Sequence, residues 1–250
     1  MISSRGFRLS RSRMFSLLEE LALKEERALS LYLPRGMPLA RIENSLKKVF
    51  ATAGMPSGMA EIINGSETGA VLFWGPTRKY LILPPFPIGE EYITNGYDVG
   101  PLCSLLSHDF LIALVLVRLG AYSIGICQGT KLVDSRTGTG LVHARHKKGG
   151  SSQARFARHR EKQIEYFLDR VCGHVREYIA PQARSLDFLV YGGARTTIIA
   201  LRKRCPFLSQ FDDRILRMLL DIPEPRKAVL GKALGDIWST NVIEWCEADL

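Results

Sequence analysis

The sequence has no Cys-x-x-Cys pair, and its cysteines stand far apart, at Cys103, Cys127, Cys172, Cys205 and Cys246. Zinc knuckles and disulfide frameworks use closely spaced or paired cysteines, so we expect neither, and we interpret Cys127 as a small core residue in a reducing compartment. The longest apolar run, residues 110–117, is too short to cross a bilayer. We therefore expect a soluble protein with no membrane partner.

Acidic residues are missing from the first 18 positions, which contain four arginines and five serines. This composition is typical of an organelle transit peptide and also of a disordered basic tail that contacts RNA. We interpret residues 1–13 as a basic tail of a cytoplasmic protein. The transit alternative would place the protein in an organelle matrix.

The chain is strongly basic, with a net charge of +9 and a pI near 9.5 over 250 residues. That excess indicates affinity for polyanions, without distinguishing nucleic acid, anionic membranes and acidic proteins. The length and the hydrophobic content of 46% allow one large core or two modest ones, and we expect two compact units.

Periodicity predicts a small α/β domain over residues 14–100, built from helices at 14–29 and 39–53 and strands at 29–33, 70–74 and 80–83. Prolines and glycines between residues 84 and 101 break both patterns, so we place the domain junction there. Residues 101–250 form the second predicted domain. Its predicted elements are strands at 110–117, 122–127, 131–134 and 186–191, a Gly-rich loop at 135–152, and helices at 152–180, 196–204, 211–219 and 226–238. This order indicates an α/β (α+β) fold with a mixed β-sheet flanked by helices.

The basic charge is concentrated between residues 143 and 162, which contain seven Lys or Arg and one acid, or +6 of the +9. An ordinary solvated face is mixed in sign, so this segment predicts a nucleic-acid contact. The residues that we expect to contact RNA are Arg136, Arg145, His146, Lys147, Lys148, Arg155, Arg158, Arg160 and Lys162. Of these, Arg136, Arg145, Lys147 and Lys148 are expected to contact phosphates without base specificity.

Within the basic segment lies a possible catalytic loop, Gly149-Gly150-Ser151-Ser152-Gln153. The glycines let the backbone press against a ligand, and the neutral amide of Gln153 orients a water without titrating. The competing interpretation is a Gly/Ser hinge before a helix. A serine nucleophile is disfavoured because no G-x-S-x-G elbow is present, and helix capping is the commoner serine role.

Two other kinds of site find little support. His143 and His146 have the spacing of half a metal site, but no Cys or carboxylate accompanies them at ligand spacing, so we predict no metal and no cofactor. A nuclease would need clustered strand-borne carboxylates, and Asp134 and Asp187 are the only candidates.

The run Arg155-Phe-Ala-Arg158, with Arg160 and Glu161-Lys162, resembles the helix that follows the Gly-Gly-Gln loop in the central domain of eukaryotic and archaeal class I release factors. With these helices in register, Ser151 stands where that family has its glutamine. The G-x-x-Q spacing from Gly150 to Gln153 instead resembles the release-factor-like peptidyl-tRNA hydrolases of the VLRF group, over roughly residues 110–245.

This resemblance implies a release-factor central-domain-like (RNase-H-like) fold and a role in ribosome rescue. It implies that Gln153 coordinates the attacking water near the terminal adenosine of P-site tRNA. The implied partners are the rRNA of the large ribosomal subunit and peptidyl-tRNA, and we expect a monomer. The alternative function is a non-catalytic ribosome- or RNA-binding factor of the stalled-ribosome recognition type.

Overall fold

The computed structural model describes residues 2–24, 27–50, 55–143 and 152–247 of the chain, in two compact units. The first unit combines Met1–His108 with Asp236–Leu250, and the second is Asp109–Gly235. The sequence placed the junction at residue 100 and assigned everything after it to the second domain. The structure instead returns the C-terminal segment to the first unit.

The elements of residues 2–107 are β1 (Ile2–Leu9), α1 (Arg11–Ala22), β2 (Leu29–Leu33), α2 (Leu39–Val49), α3 (Met59–Asn64), β3 (Ala70–Trp74), β4 (Lys79–Leu83), β5 (Tyr92–Asn95) and α4 (Gly100–Ser107). Those that follow are β6 (Leu111–Arg118), β7 (Ala121–Gln128), β8 (Lys131–Thr139), α5 (Ser152–Ile179), β9 (Phe188–Gly193), α6 (Arg195–Arg204), β10 (Ile215–Leu220), α7 (Lys227–Ile237) and β11 (Thr240–Glu247). A 3₁₀ helix at Ala180–Gln182 lies between α5 and β9, and a second one at Pro206–Arg214 lies between α6 and β10.

The first unit is built on an antiparallel sheet with the order β1-β11-β4-β3-β2-β5. Successive residues of β2 point to opposite faces, and both faces are buried: Tyr32 packs in one hydrophobic core, whereas Leu31 and Leu33 pack in the other. Helices α1 and α4 cover the Tyr32 face, and α2 and α3 cover the opposite face. Burial on both faces explains why the strands are almost continuously apolar.

The predicted basic tail is wrong, because Ile2–Leu9 forms strand β1 and pairs antiparallel with Thr240–Glu247 along its whole length. Phe7 packs against the first-unit core, and the guanidinium of Arg8 donates to the carbonyl oxygen of Asp236 at 2.6 Å. Arg11, in the first turn of α1, donates to the carbonyl oxygen of Leu106 at 2.7 Å. Two of the arginines that suggested a tail, Arg8 and Arg11, therefore help to hold the N-terminal strand and helix in place.

The second unit is built on a mixed sheet with the order β10-β9-β6-β7-β8. Strands β10, β9 and β6 are parallel, while β6, β7 and β8 are antiparallel. The C-terminal half of α5 packs on this sheet through an apolar stripe at helical spacing, comprising Phe167, Leu168, Val171, Val175 and Ile179. The predicted fold class, an α+β fold with a mixed sheet flanked by helices, is confirmed. The N-terminal unit was expected to be the smaller one, but the two units are nearly equal in length.

Two predicted elements of the second unit differ in the structure. The helix expected over residues 211–219 is wrong: the end of the 3₁₀ helix Pro206–Arg214 occupies its start, and Ile215–Leu220 forms β10 beside β9. Arg214 is the last residue of the 3₁₀ helix before β10 begins. Its guanidinium donates to the carbonyl oxygens of Ala183 and Leu186, both at 3.0 Å. The Gly-rich loop also starts later than residue 135, because β8 continues to Thr139 in register with β7.

The sequence predicted no disulfide framework, but one disulfide joins Cys172 of α5 to Cys205 at the end of α6. Cys103 and Cys127 are free, and burial raises the pKa of the Cys127 thiol to about 12. Cys127 is thus a core residue, as the sequence predicted. Among the residues that the structure describes, no helix combines the length and the apolar composition needed to cross a membrane.

Candidate functional site

Helix α5 is 28 residues long, or roughly 42 Å at 1.5 Å per residue, and its two halves differ in burial. Residues 155–159 are all exposed, and even Phe156 keeps 55% of its surface exposed. Ile164 is partly buried against the core, and the fully buried residues of the helix begin at Phe167. The helix therefore carries its basic N-terminal half away from the core of its own unit and presents it to solvent.

After β8 the chain follows α5 from Arg170 towards the N-terminal half of the helix. We call this segment, residues 139–143, the arm. The guanidinium of Arg170 donates to the carbonyl oxygen of Thr139 at the start of the arm. A Cβ on Gly140 would lie 2.6 Å from a ring carbon of Phe167 and 2.9 Å from Arg170 Nη2. The sequence placed Gly140 in a Gly-rich loop and assigned it no contact. Gly140 instead permits close contact between the arm and the helix.

The far end of the arm is held by two more side chains of α5. Arg160 Nε donates to the carbonyl oxygen of His143 at 2.9 Å, and the His143 N–H donates to Gln163 Oε1 at 3.1 Å. The rings of His143 and His159 stack, with their centroids 6.3 Å apart. Both main-chain groups of His143 are thus bound to the helix, which brings the chain to the exposed half of α5 before residue 144.

The predicted catalytic residues fall at the limit of the described chain. Gly149, Gly150 and Ser151 lie outside the described residues, as do Arg145, His146, Lys147 and Lys148. Ser152 and Gln153 begin α5, and their side chains also lie outside the described part. The structure therefore gives the two anchors of this segment, the end of the arm and the first turn of α5.

The remaining predicted RNA contacts are all in the described chain. Arg155, Arg158 and Lys162 recur at intervals of three and four residues, so they share one face of α5, and all three are exposed. None of them forms an ion pair with a residue that the structure describes. Arg136 is exposed on β8, whereas Arg160 is half-buried against the arm.

Other arginines of the second unit are paired with acids. Arg202 contacts Asp212 at 2.7 Å, and Arg118 contacts Asp221 at 3.2 Å. Arg204 of α6 donates two hydrogen bonds of 2.8 Å to Asp169 of α5, which lower the pKa of that carboxyl group. The acid in the middle of α5 is therefore neutralised from α6. The positive charge that has no ion-pair partner among the described residues is on the exposed half of the helix.

The two carboxylates considered for a nuclease do not come together. Asp187 accepts the Leu111 N–H at 2.7 Å and lies just before β9, while Asp134 lies on β8. Three strand spacings separate β9 from β8 in the sheet, or roughly 14 Å. Within the described ranges, no group of three His, Cys, Asp or Glu side chains is arranged to hold a metal ion.

The anchoring of the arm leads to a testable expectation. Replacing Gln163 with alanine removes the acceptor of the His143 N–H, so hydrogen exchange at that amide should accelerate by about three- to tenfold, in line with a net hydrogen-bond contribution of about 0.5–1.5 kcal/mol. Exchange followed by NMR measures this directly. Glu161→Ala, an exposed position on the same helix, is the control and should leave the rate unchanged; equal rates in both variants would contradict the anchor.

Comparison with known proteins decides the family. The family model described as "Actinobacteria/chloroflexi VLRF1 release factor" matches residues 111–243, more than half of the 250-residue chain. The chain belongs to this release-factor family. The match extends from β6 to β11, so the VLRF resemblance predicted from the loop and helix is confirmed over the whole second unit.

More distant relatives agree with the VLRF1 assignment. Peptide chain release factor subunit 1 of Archaeoglobus fulgidus is 24% identical over 210 residues, covering 72% of this chain and 52% of the relative. The protein of the same name from Aeropyrum pernix is 24% identical over 180 residues, covering 62% and 48%. The VLRF1-family chain thus spans about half the length of the curated relatives it matches.

Solved structures were also compared with this VLRF1-family chain. The archaeal translation termination factor aRF1 covers 92% of the chain, with 73% of its own length matched, 17% identity and a TM-score of 0.40. Dom34 of S. cerevisiae, described as a translation termination-like factor involved in RNA quality control pathways and interacting with Hbs1, covers 94% of the chain, with 66% of its own length matched, 6% identity and a TM-score of 0.34.

The sequence correctly located the basic helix, but it missed the residues that hold the arm against it. Gln163, Arg170 and Gly140 were not predicted to make these contacts, because an isolated glutamine, arginine or glycine has no distinctive pattern. The available signal was the glycine content after β8, which predicted only a loop.

Proposed function

We propose that this VLRF1-family chain is a ribosome-associated peptidyl-tRNA hydrolase that frees nascent chains from stalled ribosomes or large subunits. The observation that carries the proposal is the exposed half of α5, where Arg155, Arg158 and Lys162 follow Gly150-Ser-Ser-Gln153 and form no ion pair with any described residue. A basic helix end of this kind suits a binding site that is formed largely by RNA. The first turn of the same helix also contains the uncharged amide of Gln153.

The reaction is hydrolysis of the ester that joins the peptide to the 3′-terminal ribose of tRNA. A water oxygen bonds to the ester carbonyl carbon, the bond from that carbon to the ribose oxygen breaks, and the ribose oxygen takes a proton. The side chain of Gln153 orients the water and donates toward the developing oxyanion. Since glutamine does not titrate, the proton passes to groups outside this side chain.

The partners follow from the same geometry. The positive end of the α5 dipole lies at Ser152, so the helix start adds to the attraction for phosphate. Arg155, Arg158 and Lys162 contact rRNA phosphates of the large subunit, and Arg136 of β8 adds a contact beside the arm. Residues 145–148 contribute further basic side chains next to peptidyl-tRNA.

The direct test is a release assay on stalled ribosome-nascent-chain complexes and on large subunits prepared from them. We expect the purified chain to convert labelled peptidyl-tRNA to free peptide, with faster release on the subunit than with free peptidyl-tRNA. Cosedimentation measures binding in the same samples. Saturated binding without release would reject hydrolysis in favour of the non-catalytic ribosome-binding alternative.

A further inference from the structure

A cavity of about 350 Å³ opens beside the edge of the first-unit sheet, remote in sequence from the loop of the second unit. Its walls come from β2, α4, β5 and the segment that leads into β5. Tyr32 and Ile88 are buried and give it an apolar base, while Glu90 and Tyr92 are exposed at its rim. The Tyr32 and Tyr92 rings lie 6.1 Å apart, so two aromatic faces border the same space.

The cavity is acidic although the chain has a charge of +9. Glu90, Glu91 and Asp98 line it, and no lysine or arginine is among its lining residues. The carboxylate of Glu91 is already used, because Ser45 and Arg41 bind it and lower its pKa. Glu90 forms no hydrogen bond or ion pair with any residue in the described ranges, so its carboxylate is available to an incoming cation.

The rim of the cavity is also a sheet edge. β5 is the last strand in the sheet order and pairs on one side with β2, from Tyr32↔Tyr92 to Leu29↔Asn95. Its other side has no strand neighbour in the described chain. Tyr92 and Ile93 are 43% and 39% exposed, which is high for the large apolar side chains of a strand. An edge of this kind accepts an extended peptide as an additional strand.

We propose that β5 and the adjoining cavity form a docking site for an extended segment of another protein, with a lysine or arginine flanked by apolar residues. The main chain of the segment pairs with β5. The cationic side chain enters the cavity and contacts the Glu90 carboxylate and the exposed ring of Tyr92. Charge complementarity selects this occupant, because a nucleic-acid strand would bring phosphates against Glu90 and Asp98.

The site is separate from the proposed hydrolase function. It uses the first unit alone, whereas release depends on Gln153 and the basic face of α5. Glu90→Arg should therefore weaken docking by about tenfold or more while leaving peptide release from large subunits at the wild-type rate. Either idea can thus fail without affecting the other.

The test uses the full chain and a fluorescein-labelled peptide, Thr-Val-Arg-Val-Thr, whose binding is followed by fluorescence anisotropy. We expect saturable binding to the wild-type chain, about tenfold or greater weakening by Glu90→Arg, and weakening by Tyr92→Ala. Glu61→Arg on α3 makes the same charge change on the opposite face of the sheet and should bind normally. Amides of β5 should gain protection from hydrogen exchange when the peptide is bound.

Several outcomes would overturn the docking site. These are equal affinity of wild-type and Glu90→Arg chains, equal affinity for a peptide with glutamate in place of arginine, or equally tight binding of free arginine amide, which would indicate a small-molecule pocket. The remaining possible occupant is a second copy of this chain, which sedimentation would detect as a dimer. A wild-type dimer that Glu90→Arg dissociates would show that a second copy binds at the β5 edge.

Discussion

Replacing Gln153 with alanine is expected to slow peptide release from large subunits by about 100- to 1000-fold while leaving subunit affinity unchanged. The magnitude is that of removing one neutral group that stabilises a developing oxyanion. Affinity should persist because the phosphate contacts come from Arg155, Arg158 and Lys162, further along α5. Single-turnover release with excess protein measures the chemical step separately from binding.

Two further variants sharpen this experiment. Gln153→Glu keeps the shape of the side chain but loses the NH₂ donor, so it should be nearly as slow as alanine. Gln182→Ala removes an exposed glutamine just beyond the far end of the same helix and should release at the normal rate. If Gln153→Ala and the wild type released peptide equally fast, Gln153 would have no place in the mechanism.

Reversing the charges of Arg155, Arg158 and Lys162 together to glutamate should weaken large-subunit binding by about 100-fold or more at physiological salt. These side chains have no ion-pair partner in the described structure, so their removal costs the folded chain little. Each of the three cations that binds a phosphate should also add about one to the slope of log affinity against log salt, and the variant should lack that share. Binding measured over a salt series therefore tests how many of these side chains bind phosphate, as well as how strongly they do so.

A matched variant separates this local effect from net charge. Lys131, Arg184 and Lys232 are exposed second-unit cations outside the arm and the N-terminal half of α5, and reversing them changes the net charge equally. We expect this control to bind within a few-fold of wild type with an unchanged salt slope. Equal weakening by both triple variants would mean that binding depends on overall charge, and the exposed face of α5 would lose its assigned role.

The sequence predicted those elements whose signal is local. Helix α5 follows from its apolar stripe, and the structure ends it at Ile179, against a predicted end at residue 180. Strand β2 matches its predicted range of 29–33 because its residues are buried on two faces and Pro34 ends the pattern. The concentration of charge around α5 was also visible, since charge counts need no knowledge of packing.

What the sequence could not show depends on partners distant along the chain. Ile2–Leu9 resembles a basic tail until Thr240–Glu247 is known to lie beside it. The apolar pattern of Ile215–Leu220 fits a helix as well as a strand. The segment is a strand because it pairs with β9. For the site, composition identified Arg160 as one cation among many. Only the contact with the His143 carbonyl oxygen distinguishes it from its exposed neighbours.

The pairing of β1 with β11 has a consequence for biosynthesis. β11 lies between β1 and β4, so β1 contacts the sheet only through a strand made more than 200 residues later, as far as the described strands show. The second unit has its described strands, β6 to β10, within residues 111–220, so its sheet needs no strand made after them. The first must keep a gap in its sheet until residues 240–247 leave the exit tunnel, and this closure of a long chain segment should be its slow folding step.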